Sequence, residues 1–291
     1  MVIDALLVIV GFAGLIVATF SDIRTREVPD WLNYSLIPAG IGLRLIHSLI
    51  FNDWMFLFYG LIGLLSMVAL AYFLYYARQW GGGDSKLLMG IGVLFATYPD
   101  FMRSYFMPVL NWPFLLIFLF NLLAVGAVYA LIWSVFLAIR HWNKFRQQYV
   151  KQFALIAWLR RVVLAIAAAM VFFSFIVPDA DYKIVLVSLA MVVFVTFHLM
   201  LFARVIESCC MFVALPVAKL TEGDWVMDEV KVRGKHVCGP KDYGITKQQI
   251  AKLQKTRVKK VVVKEGIPFV PTFLIAMIVS LVWGNVIYLL F

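Results

Sequence analysis

Eight apolar runs, most of them about 18 residues or longer, leave this chain few ways to fold. They lie near 2–20, 34–51, 56–77, 87–107, 113–139, 162–178, 183–203 and 269–290. A helix of that length crosses the hydrocarbon of a bilayer with every backbone group bonded internally. Barrel strands would instead alternate polar and apolar residues over short stretches. With 64% hydrophobic and 14% charged residues among 291, the chain carries more apolar surface than water tolerates. The expected fold is an all-α polytopic membrane protein, a bundle of about eight transmembrane helices with a small cytoplasmic α+β subdomain before the last. Pro99-Asp100 interrupts the fourth run and predicts a short or kinked span.

Charge sets the orientation. The connections around 21–33, 78–86, 140–161 and 204–268 hold 23 of the 26 Lys and Arg residues. By the positive-inside rule that set faces the cytoplasm, which puts both termini outside. The first run has no basic segment before it and exceeds a signal-peptide core, so it reads as a retained helix. The net charge of +10 then follows from topology, and nucleic acid is not an expected partner.

The sequence divides into a membrane bundle over 1–139, a basic cytoplasmic segment over 140–161, further membrane helices over 162–215, a subdomain over 216–268 and a final transmembrane helix over 269–291. The basic segment carries six cationic residues and no acid, interleaved with Trp142, Phe145, Tyr149, Phe153 and Trp158. It reads as a juxtamembrane stretch resting on anionic headgroups, with a docking surface as the alternative. In the subdomain, Val226 to Val232 and Val258 to Lys264 have strand character. Thr246 to Lys255 reads as a short helix capped by Thr246.

Two aspartates stand where apolar runs meet polar clusters: Asp22 in Ser21-Asp22-Ile23-Arg24 and Asp84 in Gly81-Gly82-Gly83-Asp84-Ser85-Lys86. Carboxylates at such places are functional candidates. Two within reach of each other share a proton, because like charges so close do not both ionise cheaply. One then draws a proton from water while the other polarises an amide carbonyl, the chemistry of an aspartic protease. Gly81, Gly82 and Gly83 offer unusual dihedrals and close backbone approach. Cys209, Cys210 and Cys238, with four scattered histidines, give no zinc spacing. Neither a metal nor a cofactor is expected.

The stretch Ser21-Asp22-Ile23-Arg24-Thr25-Arg26-Glu27-Val28-Pro29-Asp30-Trp31-Leu32, followed by Gly81-Gly82-Gly83-Asp84-Ser85-Lys86-Leu87-Leu88, resembles the type IV prepilin peptidase and archaeal preflagellin peptidase family, whose later aspartate lies in a Gly-x-Gly-Asp motif. The 62-residue separation of Asp22 and Asp84 is similar to that family's. Asp242-Tyr243-Gly244-Ile245-Thr246 and Lys264-Glu265-Gly266-Ile267-Pro268-Phe269-Val270-Pro271 look like its archaeal branch. The resemblance implies a GxGD membrane aspartic protease with Asp22 and Asp84 catalytic and prepilin or preflagellin (archaellin) subunits as substrates. It implies cleavage of a basic leader at the cytoplasmic face of the cell membrane. Bacterial relatives that methylate the product carry Cys-x-x-Cys pairs after the first helix; this chain has none, which implies protease without methyltransferase. Gly81, Gly82, Gly83, Glu27, Asp30 and Lys86 are candidate substrate-binding residues: the two acids to attract a basic leader, Lys86 to balance charge near Asp84.

Two other readings remain. A presenilin-like intramembrane protease also carries Gly-x-Gly-Asp, yet Ser21 stands where tyrosine is expected and no Pro-Ala-Leu occurs near the last helices. An ion- or proton-coupled transporter would use buried acids, but no internal repeat is evident. Arg44, inside the second run, is expected to snorkel outward or pair with a neighbour.

Overall fold

Apolar runs without strand-like alternation wind into helices here. The α-helices are α1 (Val2–Thr25), α2 (Asp30–Phe51), α3 (Trp54–Tyr76), α4 (Gly82–Leu94), α5 (Asp100–Phe106), α6 (Phe114–Arg140), α7 (Trp142–Leu155), α8 (Ala157–Ile176), α9 (Ala180–Ile206), α10 (Lys247–Gln254) and α11 (Val270–Val282), of which α7 and α10 are polar. The structure, a computed structural model, describes residues 2–77, 79–232, 235–240, 242, 244–256 and 258–290. Met1, Arg78, Arg233, Gly234, Lys241, Tyr243, Arg257 and Phe291 lie outside the described residues, and with Tyr243 goes one position of the Asp242–Thr246 motif.

Among the described residues, six helices are long and apolar enough to cross a membrane: Val2–Thr25, Asp30–Phe51, Trp54–Tyr76, Phe114–Arg140, Ala157–Ile176 and Ala180–Met211. The protein is therefore a multi-pass helical membrane protein. Of the other two expected spans, the fourth is short and broken, as Pro99-Asp100 implied, and the last is shorter than the sequence implied. The run at 87–107 breaks into α4 and α5, and α4, with 13 residues, reaches only about 20 Å. Its end is fixed by Arg44. The guanidinium donates to the carbonyls of Val93 at 2.7 Å and Leu94 at 3.3 Å and to that of Phe56 at 2.8 Å. A cation on the last carbonyls is a strong helix stop. Arg44 is 1% exposed, so it pairs inward and does not snorkel.

The run at 269–290 likewise stops as a helix at Val282. Tyr98 takes the carbonyl of Leu281 at 2.8 Å, Asn121 takes that of Gly284 at 2.7 Å, and Gly284 turns the chain at φ +73°.

Packing divides the chain into two compact units, Met1–Leu131 with Gly266–Phe291 and Ile132–Glu265, the division falling inside α6. The first unit is a bundle around the nearly buried α4, with α1, α2, α3 and α11 supplying its core. Helices α3 and α4 approach closely because Gly63 and Gly92 face each other: a Cβ on Gly92 would lie 2.6 Å from the Gly63 carbonyl.

In the second unit α7 packs on α9 through Phe145, Leu201, Val205 and Ile206. A π-helical turn, Glu207–Met211, leads into β1 (Phe212–Pro216). Strand β1 pairs antiparallel with β5 (Lys260–Lys264), and β5 pairs with β2 (Trp225–Val226). Strands β3 (Val230–Val232) and β4 (Lys235–Cys238) pair antiparallel. Val261 and Val263 of β5 point inward at alternate positions, as a half-buried strand requires. The expected helix is α10, and Thr246 caps it in a box with Gln249. Asp242 ties this end together, accepting from the Gly239 amide at 3.0 Å and bonding His236 Nε2 at 3.3 Å. Cys238 is buried in that core, where burial first and the charge of Asp242 second push its thiol above the ordinary range.

Candidate active site

Asp22 lies on the inner stripe of α1. The buried residues Leu7, Gly11, Leu15, Ala18 and Asp22 recur at the helical period, so the carboxylate continues the face that packs on the bundle. It is 6% exposed. Immediately after it the helix ends. Arg26 takes a left-handed conformation at φ +61°, its amide bonding the Asp22 carbonyl at 2.9 Å. The hydroxyls of Ser21 and Thr25 donate to the carbonyls of Glu27, at 2.8 Å, and Ser21, at 2.9 Å, which fixes the turn into Pro29 and α2.

The Asp22 carboxylate has a backbone partner. The Val270 amide donates to Oδ2 at 2.9 Å, and the Phe269 amide bonds the same group. These amides open α11, so the acid occupies the N-terminal end of a helix, where free N–H groups and the macrodipole favour an anion. Pro271, in that first turn, has no N–H to leave unpaired.

Asp84 stands in the first turn of α4, partly exposed, with the Gly81 backbone bonded to its carboxylate. The two acidic segments meet. Gly83 lies against Val28 of the turn that follows Asp22, and a Cβ on Gly83 would come within 3.2 Å of Val28 Cβ. Trp80 holds the glycine turn on α11, its ring centroid 5.6 Å from that of Phe269 and 5.3 Å from that of Phe273.

The glycines do not use the unusual dihedrals expected of them. Gly81 is extended at φ −69°, and Gly82 and Gly83 are helical. Close approach is what they provide, and unequally. A Cβ at Gly81 would lie 3.3 Å from Asp84 Oδ2, whereas one at Gly82 would meet only the Tyr75 ring at 3.8 Å.

Lys86 reaches Asp30 at 2.5 Å rather than Asp84, and lies 5.3 Å over the Tyr34 ring. Positions two apart on a helix do not face each other. Glu27 and Asp30 are exposed on the turn beside Asp22.

Three buried polar atoms close in sequence or contact to the aspartates have no hydrogen-bond partner among the described residues: Thr19 Oγ1, Asn33 Oδ1 and Ser85 Oγ. Thr19 precedes Asp22 by one helical turn, Ser85 adjoins Asp84, and Asn33 Nδ2 donates to the Gly83 carbonyl at 3.5 Å. Unpartnered buried polar atoms are costly and uncommon, so these three are candidates for hydrogen bonding to water or a bound chain. The sequence marked Ser85 only as part of the motif around Asp84 and assigned no role to it, Thr19, Asn33 or Trp80. It had the 264–271 motif but not its contact with Asp22, because a backbone amide leaves no signature in residue type.

Residues 9–131, which contain all of this site except the α11 contacts, match the type IV leader peptidase family. A preflagellin peptidase of Methanocaldococcus jannaschii is 30% identical over 107 residues, 37% of this chain and 45% of that protein. Prepilin peptidase EppA of Methanothermobacter thermautotrophicus is 24% identical over 202 residues, 67% of this chain and 52% of that protein. A preflagellin peptidase of Methanococcus maripaludis is 33% identical over 86 residues, 30% and 37% of the two chains. The chain thus spans about half or less of the length of these relatives. No solved structure matches it.

Proposed function

We propose that this chain, which belongs through residues 9–131 to the type IV leader peptidase family, is a membrane-embedded aspartic endopeptidase that removes the basic leader from prepilin or preflagellin subunits. The observation that carries the reading is the meeting of the Asp22 turn and the Gly-x-Gly-Asp turn at Val28 and Gly83, inside the matched region. In the proposed reaction the pair shares one proton. The ionised carboxylate takes a proton from water as the water attacks the scissile carbonyl, and the protonated one donates to the carbonyl oxygen. Collapse of the tetrahedral intermediate breaks the C–N bond and returns a proton to the leaving amine. Titration belongs to the pair, so neither role is fixed on one residue.

The amides of Val270 and Phe269 orient Asp22, while Gly81 and Trp80 hold the Asp84 turn. Asn33, Ser85 and Thr19 supply hydrogen-bonding groups for the substrate backbone or the attacking water. A substrate whose basic leader lies in the cytoplasm and whose following helix lies in the bilayer would present its junction at the end of α1, where Asp22 sits three residues before Thr25. Glu27 and Asp30 then stand on the side that meets a cationic leader. The proposed localisation is the cell membrane with the site at the cytoplasmic face, and no methyl transfer is assigned. The test is incubation of the protein in liposomes with a prepilin-like substrate: a product shortened by its leader is expected, and an intact substrate under conditions where the enzyme is folded would refute the reading.

A further inference from the structure

Helix α7 carries two stripes. Phe145, Tyr149 and Phe153 recur at four-residue spacing and pack toward α9, Phe145 meeting the Phe202 ring at 5.7 Å. One position back, Lys144, Gln147, Gln148 and Lys151 share the neighbouring face, a spacing that aligns side chains along a helix. Together with Ser208 and Cys209 of the π-helical turn they line a cavity of about 380 Å³. Departures from regular α-helix of this kind are frequent at functional sites.

The chemistry of the lining is one-sided. It offers two ammonium groups, two side-chain amides and a hydroxyl, and no carboxylate. Neither lysine has an ion-pair partner among the described residues. The nearest acid in sequence, Glu207, is occupied by Lys264 at 2.6 Å. Unpaired cations converging with neutral donors suit a phosphate group. The position suits it as well. The span of α6 ends at Arg140 and that of α9 at Met211, so a cavity between α7 and the 207–211 turn lies where two spans leave the hydrocarbon. Basic pockets at that depth meet the phosphodiesters of anionic lipids.

We propose that this cavity is a binding site for the phosphate of an anionic lipid headgroup, with the acyl chains lying along the exposed apolar surface of α9. A free phosphate ion offers the same chemistry, and the test separates the two. The full chain in mild detergent is titrated with short-chain phosphatidylglycerol, phosphatidylcholine or inorganic phosphate, and bound ligand is counted by native mass spectrometry. Phosphatidylglycerol is expected to bind at least about tenfold more tightly than phosphatidylcholine, and millimolar phosphate is expected to leave it bound. The double variant Lys144→Gln/Lys151→Gln should lose most of that preference. Lys144→Arg/Lys151→Arg, which keeps both charges, and Lys219→Gln/Lys259→Gln, which removes two charges elsewhere, should retain it. All four of these lysines are exposed, and unchanged melting temperatures will show that the fold is kept. Equal binding of the two lipids, or undiminished preference in the glutamine variant, would overturn the site. Competition by phosphate at the concentration that saturates the cavity would overturn the lipid source in favour of the free ion.

Discussion

The amide of Val270 donates to Oδ2 of Asp22 at 2.9 Å, joining residues 248 positions apart. One helix ends on the acid and another begins on it. If Asp22 and Asp84 are the catalytic pair, replacing either with asparagine removes the ionisable group at nearly constant shape. Asp22→Asn and Asp84→Asn should each lower cleavage of a prepilin-like substrate by roughly 10²–10⁴-fold or more, with insertion and yield close to wild type. Full proteolysis by either purified variant would exclude the mechanism.

The glycines separate by what a methyl group would meet. Gly82→Ala adds a Cβ with only ordinary contact at 3.8 Å and should leave cleavage within about twofold, helped by the better helix propensity of alanine. Gly83→Ala pushes against Val28 at 3.2 Å and, if Asp84 is catalytic, should slow cleavage by about tenfold or more by displacing the Asp84 turn. Val28→Gly, which removes both the Cβ at 3.2 Å and the Cγ2 at 3.4 Å, should partly restore the Gly83→Ala enzyme, whereas Val28→Ala keeps the Cβ and should restore little. Rates for the single and double variants form a cycle, and absence of coupling would remove Val28 from the account.

Arg44 carries a structural prediction. Its guanidinium satisfies buried carbonyls at the end of α4 and a part-buried one on α3. Arg44→Met leaves those oxygens unpaired and should destabilise the first unit by about 3–5 kcal/mol. Arg44→Lys should recover little, because one ammonium does not reproduce the planar fork. Melting in detergent measures both. A near-neutral Arg44→Met would mean the helix end is held by something else.

The Lys86–Asp30 pair is 32% and 63% exposed, so solvent screens it. A double-mutant cycle with Lys86→Met and Asp30→Asn should give a coupling below about 1 kcal/mol in stability. If Asp30 attracts a basic leader, Asp30→Asn should raise KM while leaving kcat nearly unchanged. A fall in kcat at constant KM would instead tie the pair to the geometry of the Asp84 turn.

Membrane orientation can be read by labelling. With Cys209, Cys210 and Cys238 replaced, cysteines at Arg26 and Gly82 should resist an impermeant thiol reagent outside intact cells and react once the cytoplasmic face is opened. A cysteine at Asp181 should react from outside. Labelling of Arg26→Cys or Gly82→Cys from outside would put the aspartates away from a cytoplasmic leader and end the leader-peptidase proposal.

The sequence by itself determined that this is a helical membrane protein, because runs of apolar residues that long have no other stable arrangement. It singled out Asp22 and Asp84, because acids beside hydrocarbon are conspicuous in residue type and spacing. It also marked the capped helix at Thr246 and a strand ending at Lys264, where local propensity decides the outcome. Only the tertiary structure decided where the fourth and last apolar runs stop as helices, since those ends depend on Arg44, Tyr98 and Asn121 reaching carbonyls far away in sequence. It alone decided that Lys86 turns to Asp30, that Gly83 rather than Gly82 needs to be small, and that the opening amides of α11 hold Asp22. Hydrophobicity and propensity are properties of residue types and survive in a one-dimensional string. A hydrogen bond to a backbone amide or a contact with a missing methyl group exists only once the chain has brought the partners together.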